Sequence, residues 1–277
     1  MVSSSIHGSC GVGIKAVMSN GIWLHDNIVF NTVGPGIDLE GKNHSLVRNL
    51  IILSRQPDGL LNWVAGIKVN LVIGVSLYGN VVAGSERVGF HIRGQECFLD
   101  VDYCSENVAH SNLRGIHLYR GDGFQTCTRI TGFLSYKNYD YGMMFHLGSS
   151  VIIDNVVLVD NTVGLMAVIH CVYAEQCYTG KRLLELRNST IVATSSTFDC
   201  IRDRIKPQAA DLTSRDRPPY YPRRGRAGIL WPKFTTVASQ RPDSPWHKIV
   251  RCPKVLGLMK LKGWSSTSID KTILSLS

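Results

Sequence analysis

A glycine followed by alternating apolar positions recurs along the first two hundred residues. The repeat glycines are Gly13, Gly36, Gly66, Gly89, Gly115, Gly142 and Gly164, spaced 23, 30, 23, 26, 27 and 22 residues apart. Residues one and three after each glycine are apolar, which is the period-two pattern of a strand with one buried face. A period in the low to middle twenties is typical of one coil of a β-helix. Such a coil buries its apolar face only when others stack on it.

An asparagine forms a second mark of the repeat. Asn27, Asn80, Asn107 and Asn155 each precede a short apolar run, eight or nine residues before the next repeat glycine. Asparagine tolerates the left-handed backbone of a corner, and stacked asparagines can form a ladder of hydrogen bonds. The sequence therefore predicts an all-β, right-handed parallel β-helix, a pectin-lyase-like solenoid. A β-sandwich is the alternative, but it does not explain the recurring glycine and asparagine.

The composition changes near residue 200, so we predict β-helix repeats over residues 1–200 and a basic, Pro- and Arg-rich irregular tail over 201–277. The first part carries 14 Lys and Arg against 16 Asp and Glu, and the second carries 16 against 5. A basic tail can bind an anionic partner, or it can simply be a solvated segment. The tail also carries large apolar side chains, such as Trp231 and Trp246, which could pack back onto the solenoid.

The cysteines and glycosylation motifs favour an oxidising, extracellular compartment. None of the eight cysteines forms a Cys-x-x-Cys pair, which argues against a zinc ribbon. Cys97 with Cys104, and Cys171 with Cys177, are close enough to close short loops, although buried thiols are the alternative. Asn43 and Asn188 begin Asn-x-Ser/Thr motifs and are candidate glycosylation sites. No signal peptide or membrane span is recognisable, which indicates a fragment of a longer secreted or membrane protein.

The residue two after each repeat glycine should point outward, which builds one column of side chains across the coils. The column reads Lys15, Asp38, Lys68, His91, His117, Met144 and Met166. Asp38, Lys68, His91 and His117 are the candidate ligand-binding residues, because histidine titrates near neutrality and successive coils lie about 5 Å apart. A polar ladder on a solvated sheet is the alternative interpretation. Two neighbouring histidines without a third ligand do not predict a metal site.

Catalysis is not predicted, because β-helix enzymes that cleave polysaccharides need clustered acids. Asp100 and Asp102 form a close acidic pair on one side of a predicted strand, but we predict no third acid beside them. Arg120-Gly121-Asp122 is an integrin-type tripeptide, but the turn chemistry of Asp-Gly explains it equally well. We therefore predict no catalytic residue, no metal and no cofactor. A polysaccharide hydrolase or lyase is the minority alternative.

Several stretches resemble the parallel β-helix repeats of the fibrocystin family. They are residues 31–41, 63–70, 82–91 and 222–232, with Gly36-Ile37-Asp38-Leu39-Glu40-Gly41 at the centre of the first. The resemblance covers most of residues 1–262. It implies a repeat region that lies next to a G8 domain in very large single-pass membrane receptors, which carry no established catalytic residues.

The resemblance implies a non-enzymatic extracellular module for recognition or structure, at the outer side of the plasma membrane or cilium. Its ligand would be a protein or a glycan at the cell surface, and nucleic acid is not expected. Repeats joined to a G8 domain also resemble cell-surface proteins linked to hyaluronan, so a module that binds or cleaves a polyanionic glycan is the alternative. A truncated product without separate activity is a third possibility.

Overall fold

A computed structural model describes residues 1–58, 64–97, 103–118, 127–147, 150–169, 183–193, 195–196, 227–230, 254–256 and 259–262. These residues form 24 β-strands in three sheets, numbered β1 to β24 in chain order. Within the described ranges there is no α-helix, and so none long and apolar enough to cross a membrane. The predicted all-β class is confirmed.

The eight-stranded sheet is built from the strands that follow the repeat glycines. In order across the sheet, its strands are β2 (Ile14–Asn20), β5 (Ile37–Lys42), β8 (Ala65–Ile73), β11 (Val88–Ile92), β15 (Arg114–Leu118), β17 (Tyr141–Leu147), β19 (Val163–Ile169) and β22 (Ala227–Leu230). Neighbouring strands pair in parallel, and residues at the same position of successive coils lie opposite each other.

The other two sheets complete each coil. The four-stranded sheet contains β3 (Trp23–His25), β6 (Ser45–Val47), β9 (Ser76–Tyr78) and β13 (Tyr103–Ser105). The twelve-stranded sheet contains β1 (Ser5–His7), β4 (Ile28–Val33), β7 (Leu50–Arg55), β10 (Val81–Ala83), β12 (Gln95–Glu96), β14 (Asn107–His110), β16 (Cys127–Tyr136), β18 (Ser150–Val159), β20 (Leu183–Arg187), β21 (Ser189–Val192), β23 (Lys254–Leu256) and β24 (Met259–Lys262). Among the described strands, only the pairing of β12 with β16 is antiparallel. The predicted parallel β-solenoid is therefore confirmed.

Three of these strands come from the segment predicted as an irregular tail. β22 extends the eight-stranded sheet from β19, while β23 and β24 pair with β20 and β21. The rest of that segment, including Trp231 and Trp246, lies outside the described residues. The proposed division at residue 200 therefore stays a prediction.

The repeat glycines form a column in which each coil touches the next. A Cβ atom on Gly89 would lie 2.5 Å from the carbonyl oxygen of Gly115, and one on Gly142 would lie 2.8 Å from that of Gly164. None of the seven has a positive φ. Close approach of the backbones, and not a left-handed turn, is thus the reason for glycine here. Gly228 stands at the next position of the column, opposite Gly164.

The core is a stack of aliphatic layers inside the coils. Residues one and three after the repeat glycines from Gly36 to Gly164, such as Ile37 and Leu39, are almost completely buried. In the first coil, Ile14 and Ala16 are partly buried and pack against the same core. Their partners come from the middle positions of the other two sheets, including Leu46 and Leu77. Because every coil contributes to the same cluster, removal of one layer exposes its neighbours.

Two ladders of buried asparagines brace the corners of the solenoid. In the first, Asn27, Asn49, Asn80 and Asn107 are each 0–1% exposed. Each amide oxygen from Asn49 to Asn107 accepts hydrogen bonds from the backbone N–H and the side-chain Nδ2 of the preceding asparagine, at 2.9–3.1 Å. The second ladder joins Asn112, Asn138 and Asn161 in the same way. The stacking expected for Asn27, Asn80 and Asn107 is therefore observed.

Asn155 stands outside this ladder, at one of the left-handed corners that asparagine also suits. It is exposed and has a φ of 49°. Its neighbour Val156 pairs with Phe133, which pairs in turn with Asn107. Asn155 therefore stands one residue before the ladder position, where its coil needs a left-handed corner, and asparagine suits a corner as well as a ladder.

One disulfide links two segments of neighbouring coils. Cys97, just after β12, is bonded to Cys127, the first residue of β16. Cys104 is instead buried within the hydrophobic core. The short loop suggested for Cys97 with Cys104 is therefore wrong, because the coil that follows β13 brings Cys127 beside Cys97. Cys171 and Cys177 lie outside the described residues.

Candidate functional site

The eight-stranded sheet places the predicted outward residues in a single column. Asp38 lies opposite Lys15 and Lys68, and His91 lies opposite Lys68 and His117. Met144 and Met166 continue the column on β17 and β19. We call these seven residues the outward ladder. Their adjacency follows from the parallel register, because residues at equal distance from the repeat glycines share one face.

Asp38 and Lys68 of the outward ladder form an ion pair. The Nζ of Lys68 lies 3.4 Å from Oδ2 of Asp38. Asp38 is buried, at 7% exposure, and Lys68 is half-buried. A buried carboxylate beside an ammonium group gains charge compensation. The pair therefore offers little net charge to an anionic ligand.

The two histidines of the outward ladder stack on each other. The rings of His91 and His117 are 4.9 Å apart between centroids and 7° from parallel. Burial, and secondly the charge of Lys68, lower the pKa of His91 from 6.5 to about 4. His91 is therefore uncharged at neutral pH. An imidazole with so low a pKa is a weak general base.

The described residues around these histidines do not form a metal-binding cluster. Throughout the described ranges, no cluster of three or more His, Cys, Asp or Glu side chains could hold a metal ion. Oδ2 of Asp38 faces the ammonium group of Lys68. The acidic pair Asp100 and Asp102 lies outside the described residues, as does the tripeptide 120–122. The ligand-binding role assigned to Asp38, Lys68, His91 and His117 stays a prediction.

Both glycosylation candidates are exposed at corners of the solenoid. Asn43 has a φ of 54°, and its Nδ2 donates a hydrogen bond to Oδ1 of Asn20 at 3.0 Å. Asn188 has a φ of 45°, and its Nδ2 donates to Oδ1 of Asp154 at 3.1 Å. An exposed corner leaves room for a glycan on either side chain. Glycosylation at both sites stays a prediction.

Sequence reasoning missed an apolar surface on the outside of the twelve-stranded sheet. We call it the apolar face, and its residues are Ile28, Phe30, Leu50, Ile52, Val81, Ala83, Val108, Leu134, Val157 and Val159. His110 and Tyr136, which stack on each other, lie between Ala83 and Val159 in the same register. Ile28, Phe30 and Leu134 are 36–44% exposed, and the others are half-buried. The signal was present in the sequence, because these strands are apolar at consecutive positions and do not alternate with polar residues.

A second missed surface lies on the outside of the four-stranded sheet. We call it the aromatic face, and its residues are Trp23, His25, Ser45, Ser76, Tyr78 and Tyr103. The alternate positions Leu24, Leu46 and Leu77 are buried in the core. These strands have only three residues each, which is too short for periodicity to distinguish them from turns.

The sequence is similar to known proteins over almost its whole length. It is 50% identical to fibrocystin of Canis lupus familiaris and 49% identical to fibrocystin of Mus musculus, each over 275 residues and 99% of this chain. It is 32% identical to fibrocystin-L of Homo sapiens over 272 residues and 94% of this chain. The chain spans only 6–7% of the length of these relatives. No protein-family model matches it, and no solved structure does.

Proposed function

Because the chain belongs to the fibrocystin family over the residues it shares with these relatives, we propose that it is a non-enzymatic structural and recognition module of a large receptor. The proposed setting is the extracellular side of the plasma membrane or cilium. The disulfide between Cys97 and Cys127 supports this setting, because such bonds persist in oxidising compartments. The exposed glycosylation motifs at Asn43 and Asn188 agree with it.

A structural role is supported by the continuity of the fold. Hydrogen-bonded ladders and the shared core join each coil to the next, so bending at any one coil would break buried contacts. Solenoids of this kind act as quasi-one-dimensional spacers. The uncharged His91 and the paired Asp38 support the absence of catalysis at the outward ladder.

The apolar face is the single observation that carries the recognition role. It runs across six strands from β4 to β18, a length of about 24 Å at about 4.8 Å per strand. Contiguous exposed apolar patches of this kind mark protein contacts. We propose that another folded part of the same receptor covers it, because the relatives are many times longer than this chain. A covalently linked partner needs less contact area than a separate one.

Association with the rest of the ectodomain tests this proposal. The purified chain is mixed with a fibrocystin ectodomain that lacks the corresponding segment, and binding is measured by surface plasmon resonance. The double variant Phe30→Ser with Leu134→Ser should weaken binding about tenfold or more, because it removes two of the three most exposed large side chains of the apolar face. Val17→Ser, at an equally exposed apolar residue on another sheet, serves as the matched control.

Binding that the double variant leaves unchanged would contradict the recognition role.

Incubation of the same chain with hyaluronan and heparan sulfate tests the absence of catalysis. No shortening of either polymer is expected, and shortening that is lost in His117→Ala would establish the enzymatic alternative instead.

A further inference from the structure

The aromatic face combines rings and hydroxyl groups on a flat support. Its upper row consists of Trp23, Ser45, Ser76 and Tyr103, which lie opposite one another in register. Three steps of about 4.8 Å between the strands set Trp23 and Tyr103 about 14 Å apart. The two serine hydroxyls lie between the rings.

Both terminal rings are open to solvent and braced from one side. Trp23 is 64% exposed and Tyr103 is 55% exposed, which is unusual for such large apolar groups. The ring of Trp23 stacks on His25 at 5.6 Å and 5°, and that of Tyr103 stacks on Tyr78 at 6.5 Å and 28°. A braced ring loses little side-chain entropy when a ligand stacks on it.

The polar groups of this face are held by their neighbours. Nε2 of His25 lies 3.1 Å from the hydroxyl of Ser45, and Tyr78 is hydrogen-bonded to Glu106. The contact with His25 therefore orients the hydroxyl of Ser45, and both serine hydroxyls can hydrogen-bond a ligand that lies across the strands.

At the edge of the aromatic face, the positive charge of Arg48 is paired with a neighbouring carboxylate. Arg48 donates two hydrogen bonds to Asp26, at 2.7 and 2.8 Å, so that its guanidinium group is committed to an intramolecular carboxylate. Glu106 adds a negative charge beside Tyr78. A polyanion would therefore meet no available positive charge from these residues, whereas an uncharged ligand would meet no penalty.

We propose that the aromatic face binds a neutral, extended oligosaccharide, with sugar rings stacked on Trp23 and Tyr103 and sugar hydroxyls bonded to Ser45 and Ser76. Sugar rings present an apolar C–H face to an aromatic ring and hydroxyl groups at their edge. The upper row of the aromatic face complements this chemistry, because two aromatic rings stand at its ends and two hydroxyl groups lie between them. The site differs from the outward ladder and from the apolar face, so its test is independent of the proposed function.

Binding of the purified chain to a glycan array tests the proposal. The probes are chito-oligosaccharides, N-acetyllactosamine oligomers and high-mannose glycans, with hyaluronan and heparan sulfate as polyanions, at low and physiological salt. Binding to a neutral probe is expected at both salt concentrations, because no ion pair contributes to it. Calorimetry then gives the affinity for the retained probe.

Trp23→Ala and Tyr103→Ala should each weaken that affinity about tenfold or more, since aromatic anchors dominate such contacts. Met18→Ala, at a residue that is 90% exposed on β2, is the control and should bind as the parent chain does. Thermal unfolding of each variant verifies its fold. The proposal is overturned if no neutral probe binds, if only polyanions bind and salt releases them, or if folded Trp23→Ala binds normally.

Discussion

At the repeat glycines, the space that a side chain would need is already occupied by the next coil. The carbonyl oxygen of Gly164 and Nδ2 of Asn161 would both lie within 2.8 Å of a Cβ on Gly142. Both neighbours are held in place, the first by the backbone and the second by its ladder. Stacking of the coils therefore requires glycine at these positions, which is why glycine recurs once per coil in the sequence.

Replacement of Gly142 by alanine is expected to destabilise the chain by about 1–3 kcal/mol, because the added methyl group overpacks a closed contact. Gly11→Ala is the matched control. It makes the same change in the unfolded chain, and nothing lies within 4 Å of its Cβ, so its effect should stay within about 0.5 kcal/mol. Urea unfolding measures both, and equal effects would contradict the steric explanation.

The buried histidines make stability depend on pH. Burial lowers the pKa of His44, His91 and His110 in the folded chain, for His91 from 6.5 to about 4. Between these two values the unfolded chain binds more protons than the folded chain. The stability contributed by neutral His91 is thus complete above pH 6.5 and is lost as the pH falls towards 4.

For His91 alone, this loss is expected to reach up to about 3 kcal/mol, at about 1.4 kcal/mol per pKa unit. His91→Phe keeps an aromatic ring beside His117 and removes the titrating group, so its stability should fall less between pH 6.5 and 4. Urea midpoints across this range measure the difference. Identical pH profiles for the two chains would show that His91 is solvated in the folded state.

At the scale of the strands and corners, the asparagine ladders show where sequence reasoning succeeds and where it fails. Asn27, Asn80 and Asn107 were recognisable because each stands at a fixed distance before a repeat glycine. Asn49 was missed because an insertion in its coil moves the next glycine to residue 66. Asn155 fits the same spacing but occupies a left-handed corner, because one residue type meets two different local requirements.

Asn80→Ala is expected to destabilise the chain by about 2–4 kcal/mol. It removes a side chain that accepts from Asn49 and donates to Asn107 and to the carbonyl of Leu46, and it leaves buried partners unsatisfied. Asn155→Gly keeps the left-handed corner and should be nearly neutral. Chemical denaturation of the two variants distinguishes the ladder role from the corner role, and a large loss of stability in Asn155→Gly would contradict the corner role of Asn155.

The outward faces were the least predictable elements. Parallel register fixed the column from Lys15 to Met166, so its adjacency could be foreseen from the glycine spacing alone. The burial of His91 could not, because it depends on how neighbouring side chains cover one another. The aromatic face escaped notice because three-residue strands carry too few positions to reveal which side is exposed. The apolar face escaped notice because strands that are apolar at consecutive positions do not show which side faces the core.

At the scale of the whole molecule, the disulfide joins segments that the sequence separates by 30 residues. Closure of a loop of that length stabilises the fold by about 3–4 kcal/mol, because it lowers the conformational entropy of the unfolded chain. Cys97→Ser and Cys127→Ser should each lower the stability by about that amount. Non-reducing peptide mapping by mass spectrometry should recover a peptide that joins Cys97 to Cys127, and a Cys97–Cys104 peptide would contradict the arrangement of coils.

The solenoid as a whole is expected to serve its receptor through two different outward surfaces, one covered by protein and one left open. Hydroxyl-radical footprinting tests this most directly, because it reads the exposure of individual side chains. The labelling of this chain alone is compared with that of the same residues inside the complete fibrocystin ectodomain. Phe30 and Leu134 should lose most of their labelling in the ectodomain, while Trp23 and Tyr103 keep theirs. Equal labelling of Phe30 and Leu134 in both proteins would contradict a recognition role for the apolar face.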